Sequence, residues 1–421
     1  MRVTSGHLGQ VAKPDFWRTY VTLSMVIFGG FVAVGSAGPF HSLYAVSLGA
    51  TLGQVALVGG GYVTVALFAG LWWGRIADDP ARRRGMMVAS LACLAALHGA
   101  VALVSQVPPD AMPFAFSPWW LLVPLRLIEG AIAPANQVAS MAMMGELLDG
   151  DPRRPRLVSA YRMSGSLAFS VAIVASGTVS QAVGPAGSFV VAGVTLVLAT
   201  IAAASLPAST RVLGSGGPVR TRSIGFVEVT SGPMRPVLVL ALAFGLPFSM
   251  VYAVWPIWIA NERGLGQATY SQLWGLAALV EVPCMILAGW LVSRIGSART
   301  FSLGLATFAC VYAAYALAPP LEALFVVQVL RGFSFAAYTA TSLTMAIELA
   351  PRGARGRAAG LYQSAQGLAQ ILGNWTGPPI AGSVGFAPVF AIASAGVLCG
   401  AAYALRAVLP TAATSRDRPV S

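Results

Sequence analysis

The segment RLVSAYRMSGSLA at residues 156–168 returns at residues 357–369 as RAAGLYQSAQGLA, 201 positions later. Tyr161 matches Tyr362, and further along Gly177 matches Gly377 nearly in step. Upstream, LRLIEG from Leu125 is answered by LRGFS from Leu330, and the ends MGEL and AIEL set Glu146 opposite Glu348. The chain therefore reads as two copies of one unit, and the fold of that unit is the first question.

Around the repeat the chain is 57% hydrophobic and only 10% charged, with a mean hydropathy of +0.74, which excludes a soluble domain of ordinary surface. Apolar runs recur at 19–40, 54–74, 85–104, 118–145, 161–183, 188–206, 234–260, 271–293, 300–318, 321–350, 358–384 and 387–409. Each is near the length of about 20 residues with which a helix crosses a hydrocarbon layer. Continuous runs predict helices and not barrel strands, because lipid requires each segment to satisfy its own backbone. The 46 Gly and 27 Pro suit helices that approach one another closely. The expected fold is an all-α membrane protein of twelve transmembrane helices in two pseudo-symmetric six-helix bundles, residues 1–206 and 234–421. The polar stretch 207–233, with STRVLGSGGPVRTRS, reads as the linker between them.

A net charge of +12 could point to nucleic acid, but the positions of the basic residues exclude it. Of the 26, 23 fall on one side of the twelve spans, the side of both termini. Arg263 alone lies opposite, and Arg126 and Arg331 lie within spans. Short basic loops resist translocation, so both termini are expected in the cytoplasm, with the chain in the inner (plasma) membrane. Arg2 to Arg18 is polar and no clear cleavage site follows, so the first apolar run is expected to stay as a helix. Cys93, Cys284, Cys310 and Cys399 lack metal-type spacing and read as small buried hydrophobes. With no phosphate-binding loop, metal cluster or nucleophile paired to a base, the sequence offers no enzyme, no ATP-driven pump, no cofactor and no metal site.

Between the second and third runs stands GRIADDPARRR, where Gly74, Asp78, Arg82 and Arg83 keep the pattern G-x3-D-x3-R-R. Its counterpart GWLVSRIGSAR keeps Gly289, Arg294, Gly296 and Arg299 but has Ser293 in place of the acid. This loop resembles the signature of the major facilitator superfamily. The resemblance implies that Asp78, with Gly74, Arg82 and Arg83, forms a cytoplasmic gate that latches the two halves together. The stretches VWPIWIANERGLG from Val254 and GLAALVEVPCMILAGWLVSRIG from Gly275 are similar to the sugar efflux transporters of that superfamily. The resemblance implies a secondary transporter working by alternating access, with a small-molecule substrate, protons and the lipid bilayer as its partners, as a monomer. Proton-coupled export of sugars or similar small polar solutes is the leading reading, and a multidrug/proton antiporter of the same fold is the alternative.

Charges inside spans are functional candidates, because each is costly at the bilayer centre unless paired or wetted. Counted from the expected span ends at 1.5 Å per residue, Glu281, Arg331, Arg126 and Glu129 fall in one slab near the midplane. Arg126 and Glu129, three apart, share a helix face and form either a self-neutralising pair or part of a cavity wall. Arg331 has no local partner, which makes Glu281 its expected counter-charge and the expected proton-carrying group. Gln363, Gln366, Gln370 and Asn374 form a polar stripe suited to a polyhydroxylated substrate or to bonds between helices. Trp72, Trp73, Trp119, Trp120, Trp255 and Trp258 near span ends read as an interfacial belt, and His41 and His98 as structural. Reporter fusions after Gly214 and after Pro410 should signal from the cytoplasm and one after Gly264 from the outside; a periplasmic signal at Gly214 would invert the orientation.

Overall fold

The computed structural model describes residues 13–108, 117–207, 234–348 and 355–407. The expected linker lies outside the described residues except for Pro207, as do Arg2, Arg211, Arg220, Arg222, Arg352, Arg416 and Arg418. Twelve long helices follow in order: α1 Lys13–Ala37, α2 Leu52–Ala77, α3 Pro80–Leu103, α4 Leu122–Leu147, α5 Arg154–Val183, α6 Ala186–Ala204, α7 Met234–Ile257, α8 Gly266–Ile295, α9 Ser297–Ala316, α10 Leu321–Glu348, α11 Arg355–Val384 and α12 Phe386–Ala407. A short helix, Phe40–Ser47, extends α1. Among the described residues, nine helical stretches are long and apolar enough to cross a membrane. The long helices outside that set are α4, α9 and α11. Of these, α4 carries Arg126 and Glu129 and α11 carries the Gln stripe, so a polar interior face lowers their mean hydropathy.

The duplication is visible in the backbone itself. α5 and α11 are each 30 residues long, from Arg154 to Val183 and from Arg355 to Val384, so both ends keep the 201-residue offset. Each stops at a glycine in the left-handed region, Gly184 at φ +84° and Gly385 at φ +88°, a conformation that a Cβ opposes. Packing repeats as well. In the first half α1 packs on α5 and α6, α2 on α4, and α3 on α4 and α6. In the second, α7 packs on α11 and α12, α8 on α10, and α9 on α10 and α12.

Local sequence sets the helix ends. Thr51 and Gln54 form a reciprocal capping box at the start of α2, Thr51 N–H donating to Gln54 Oε1 at 2.9 Å. Asp79 caps α3 by accepting from Ala81 N–H at 3.0 Å, with Pro80 at the first helical position. Near the end of α7, Pro256 lacks an N–H, and the chain widens into a π-helical turn, Trp258–Glu262, closed by Arg263 N–H to Trp258 O at 2.8 Å. Cys93, Cys310 and Cys399 are exposed and Cys284 is half-buried. They are therefore not the buried residues expected, because a span also has an outward face and these sit toward it.

The two halves meet along α2 with α11 and α5 with α8, a pairing that the duplication exchanges with itself. Small residues let these helices touch. A Cβ on Gly177 would stand 2.0 Å from Ser271 Oγ, one on Gly275 2.3 Å from Val174 Cγ2, and one on Gly60 2.8 Å from the Trp375 ring. Ser180 donates to Gln267 Oε1, Ala268 N–H to Gln181 Oε1 at 2.9 Å, and Trp375 Nε1 to Thr64 Oγ1 at 3.1 Å. These contacts lie between the helix middles and the face opposite both chain termini. A groove of roughly 480 Å³ lined by Thr51, Leu52, Gly53, Pro379, Gly382 and Ser383 marks the mouth of the seam on that face. Toward the face that carries the termini, a Cβ on Gly74, Gly289 or Gly360 would meet nothing within 4 Å. Phe68, Leu71, Met163, Leu167, Ile286 and Leu368 are exposed there. The halves are thus closed on one face and apart on the other. Ser180→Cys with Gln267→Cys should cross-link readily under a mild oxidant, and adding Gly177→Leu should cut the yield several-fold; an unchanged yield would show that this seam does not close in the membrane.

Candidate functional site

Among the described residues each half buries one arginine, at matching places on α4 and α10. Arg126 is 6% exposed and Arg331 6% exposed. A guanidinium in such surroundings must be paired, stacked or wetted, and the halves do this differently.

In the first half Arg126 Nη1 lies 2.7 Å from Glu129 Oε2, the pair that three-residue spacing on α4 predicts. Two histidines close around the same carboxylate. His41 Nε2, from the short helix, is 3.4 Å from Glu129 Oε2 and 3.4 Å from Arg126 Nη1. His98 Nε2, from α3, is 3.9 Å from Glu129 Oε1. The Tyr62 ring of α2 lies 3.8 Å from the Arg126 guanidinium carbon, and Phe189 of α6 packs on the His41 ring at 4.7 Å. His98 Nδ1 is 2.8 Å from Leu94 O. A carbonyl only accepts, so Nδ1 carries the proton of the neutral ring and Nε2 turns a lone pair toward Glu129. A second proton on His98 would face that carboxylate. The donor atoms of His41, His98 and Glu129 lie within 4.8 Å of one another, close enough to hold a metal ion. Arg126, however, already places a positive charge on the same carboxylate oxygen, so the set favours a proton over a divalent cation.

In the second half the residue matching Glu129 is Ser334, whose hydroxyl donates back to Leu330 O at 2.8 Å. Arg331 instead stacks between Tyr252 of α7, 4.5 Å from its ring centroid, and Trp274 of α8, 4.4 Å away. Trp255, Tyr270, Tyr312 and Tyr315 complete an aromatic cluster, with centroid separations of 5.3 Å for Trp255–Tyr270 and 5.8 Å for Trp255–Tyr315. Gln328, one turn before Arg331, donates to Tyr315 Oη at 2.7 Å. Phe40 of the short helix reaches Tyr270 across the seam at 6.0 Å. The cluster therefore touches both halves.

Glu281 and Arg331 form no ion pair within 4.0 Å among the described residues, contrary to the expected pairing. Gly332 abuts Ala277 and Val280 of α8, and Arg331 turns its guanidinium toward Trp274, two helical turns before Glu281. α8 begins at Gly266 and not near Ser271, so Glu281 lies fifteen residues in, while Arg331 lies ten residues into α10. Glu281 is half-buried and shares a face of α8 with Trp274, seven residues back, about 10 Å along the helix.

The stripe on α11 splits. Gln363 and Gln370 are exposed, and Asn374 reaches the seam, 3.3 Å from where a Cβ of Gly59 would stand. Gln366 is rotated by about 60° at 100° per residue, and it donates to Tyr338 and Tyr362 inside the second half. The expected gate is also redistributed. Asp78 is exposed at the end of α2, and no contact across the halves involves it among the described residues. Arg82 pairs with its neighbour Asp79 at 3.1 Å, Arg83 pairs with Glu146 of α4, and Gly74 touches nothing across the seam. Trp119, Trp255 and Trp258 are buried and do not form the expected belt, whereas Trp72 and Trp120 are exposed. Sequence reasoning read His41 and His98 as structural without joining them to Glu129, and it missed the aromatic cluster. Tyr252 and Trp255, Tyr270 and Trp274, and Tyr312 and Tyr315 recur at three or four residues, a helical spacing that could have revealed the cluster; nothing local links the histidines.

The family model described as Major Facilitator Superfamily matches residues 23–322 and 237–420. The chain is 27% identical over 350 residues to the maltose permease of Geobacillus stearothermophilus, covering 82% of each chain. It is 26% identical over 303 residues to Sugar efflux transporter A of Escherichia coli (strain K12), covering 68% of this chain and 70% of the relative. A solved structure of a mutant of the nucleoside transporter NupG superposes with a TM-score of 0.76 at 14% identity, covering 92% of this chain and 99% of the other.

Breaking the buried pair by Glu129→Gln should cost about 3 kcal/mol, because it strands a buried guanidinium. Arg126→Met combined with Glu129→Gln should recover most of that loss. Additive losses in a double-mutant cycle on unfolding in mixed micelles would show that the two side chains do not interact.

Proposed function

The chain belongs to the Major Facilitator Superfamily, and from that premise we propose that it exports sugars or similar small polar solutes against protons by alternating access. One observation carries the reading: the Arg331 cluster, an aromatic-walled polar centre that reaches both halves at the closed end of the seam. Aromatic walls with a few convergent polar groups suit a sugar, whose rings carry apolar C–H faces and hydroxyl edges. The relatives named maltose permease and Sugar efflux transporter A support the same class.

Arg331, Glu281, Gln363, Gln370 and Asn374 are assigned to the substrate path, and Arg126 and Glu129 with His98 to the proton. His98 suits that task because its Nε2 faces the Glu129 carboxylate at 3.9 Å. Residues 1–206 and 234–421 act as the two moving bodies, in one monomer in the inner membrane. With both termini in the cytoplasm, closure of the opposite face makes this an inward-facing form. In the outward-facing form the cytoplasmic face closes, and there Asp78 finds the latch partner that it lacks here.

Reconstitution in proteoliposomes tests this. Counterflow should be seen with sugars and not with lipophilic cations, and an imposed pH gradient should drive net sugar movement. His98→Gln should keep exchange but lose the gradient's effect by at least tenfold. Counterflow of lipophilic cations alone would make the protein a drug antiporter, and an undiminished gradient effect in His98→Gln would move the proton elsewhere.

A further inference from the structure

The polar atoms around Arg331 are unequal in kind. Arg331 Nε and Nη1 and Trp255 Nε1 are buried and find no hydrogen-bond partner within the protein. These three groups can only donate. The hydroxyls of Tyr252, Tyr270 and Tyr312 are likewise buried and unpartnered, and each can donate or accept. Against the three obligate donors the cluster offers Gln328 Oε1 as its one unpartnered atom that can only accept. A neutral sugar hydroxyl can accept from these donors but brings no negative charge to the guanidinium. An acceptor-rich anion brings both.

The charges agree. The buried charged side chains among the described residues are Arg126, Glu129 and Arg331. Arg126 is neutralised by Glu129 at 2.7 Å, whereas Arg331 stacks between two rings and has no carboxylate within 4.0 Å among the described residues, the half-buried Glu281 acting on it from farther off. The interior of α7–α12 thus holds one buried cation, whose unpartnered Nε–H and Nη1–H, on opposite sides of the guanidinium, can each donate to an anionic oxygen. A phosphate monoester, near −2 at neutral pH, would meet more repulsion from Glu281 than a monoanion does. Tyr252 and Trp274, which hold the guanidinium, are half-buried and can present ring surface beside it.

We propose that the preferred substrates are sugar acids, with the carboxylate held by Arg331 and Trp255 Nε1 while the sugar ring lies against Tyr252 and Trp274. This rests on the sugar reading above and narrows it. Glu281, on the Trp274 face of α8, then acts as a selector, since its negative charge opposes a bound carboxylate and is indifferent to a neutral ring.

Counterflow of glucuronate, glucose and glucose 6-phosphate, each at the same concentration in the same proteoliposomes, tests the proposal. Glucuronate should exchange at least tenfold faster than glucose and faster than the phosphate. Arg331→Gln should bring the glucuronate-to-glucose ratio close to one, Arg331→Lys should keep it above one, and Glu281→Gln should raise it. Should Arg331→Gln fail to fold, the wild-type ratio and the Arg331→Lys and Glu281→Gln variants decide. Glucose exchanging as fast as glucuronate would overturn the acid proposal and leave the sugar reading standing. Faster exchange of glucose 6-phosphate would overturn the carboxylate assignment, and lipophilic cations exchanging while no sugar does would overturn both readings.

Discussion

A guanidinium cannot lie bare inside a helical bundle that lipid surrounds, and this constraint organises the interior of both halves. Arg126 meets it with a carboxylate one turn away, two histidines and an aromatic face. Arg331 meets it with the π-faces of Tyr252 and Trp274 and no carboxylate within ion-pair distance. The first arrangement closes on itself. The second leaves hydrogen-bond donors that nothing among the described residues satisfies, and an unsatisfied buried donor is costly until a partner reaches it.

Duplication explains why the two centres sit where they do. One ancestral arrangement, with an arginine on the fourth helix packed against the second, would produce both Arg126 on α4 against α2 and Arg331 on α10 against α8. The two centres differ most plainly where Glu129 in one half stands as Ser334 in the other. A symmetric scaffold then carries two chemically distinct sites.

The seam follows from the same symmetry and from side-chain size. Gly60, Gly177 and Gly275 allow α2 to meet α11 and α5 to meet α8 on the face away from the termini. On the other face these helices diverge, and Asp78 is left exposed. Packed interfaces tend to have discrete arrangements and resist continuous deformation, so a rigid half closed at one end is suited to rocking about its middle.

The sequence by itself determined the class of the protein. Twelve apolar runs, basic residues gathered mostly on one side and a 201-residue repeat leave little but two bundles of membrane-spanning helices, since period and length act locally and each helix satisfies its own backbone. It also placed Arg126 beside Glu129, because three residues along one helix is a fixed geometry. Tertiary structure decided the rest. Whether Glu281 reaches Arg331 depends on how α8 and α10 pack, and the stacking of Arg331 on Tyr252 and Trp274 holds the guanidinium two turns away from the carboxylate. His41 and His98 lie 57 positions apart, on the short helix and α3, and only the packing of those elements on α4 brings both to Glu129. The aromatic ring around Arg331 likewise draws on α7, α8 and α9, and contacts between helices are set by side-chain volumes across the whole bundle, which no local spacing encodes.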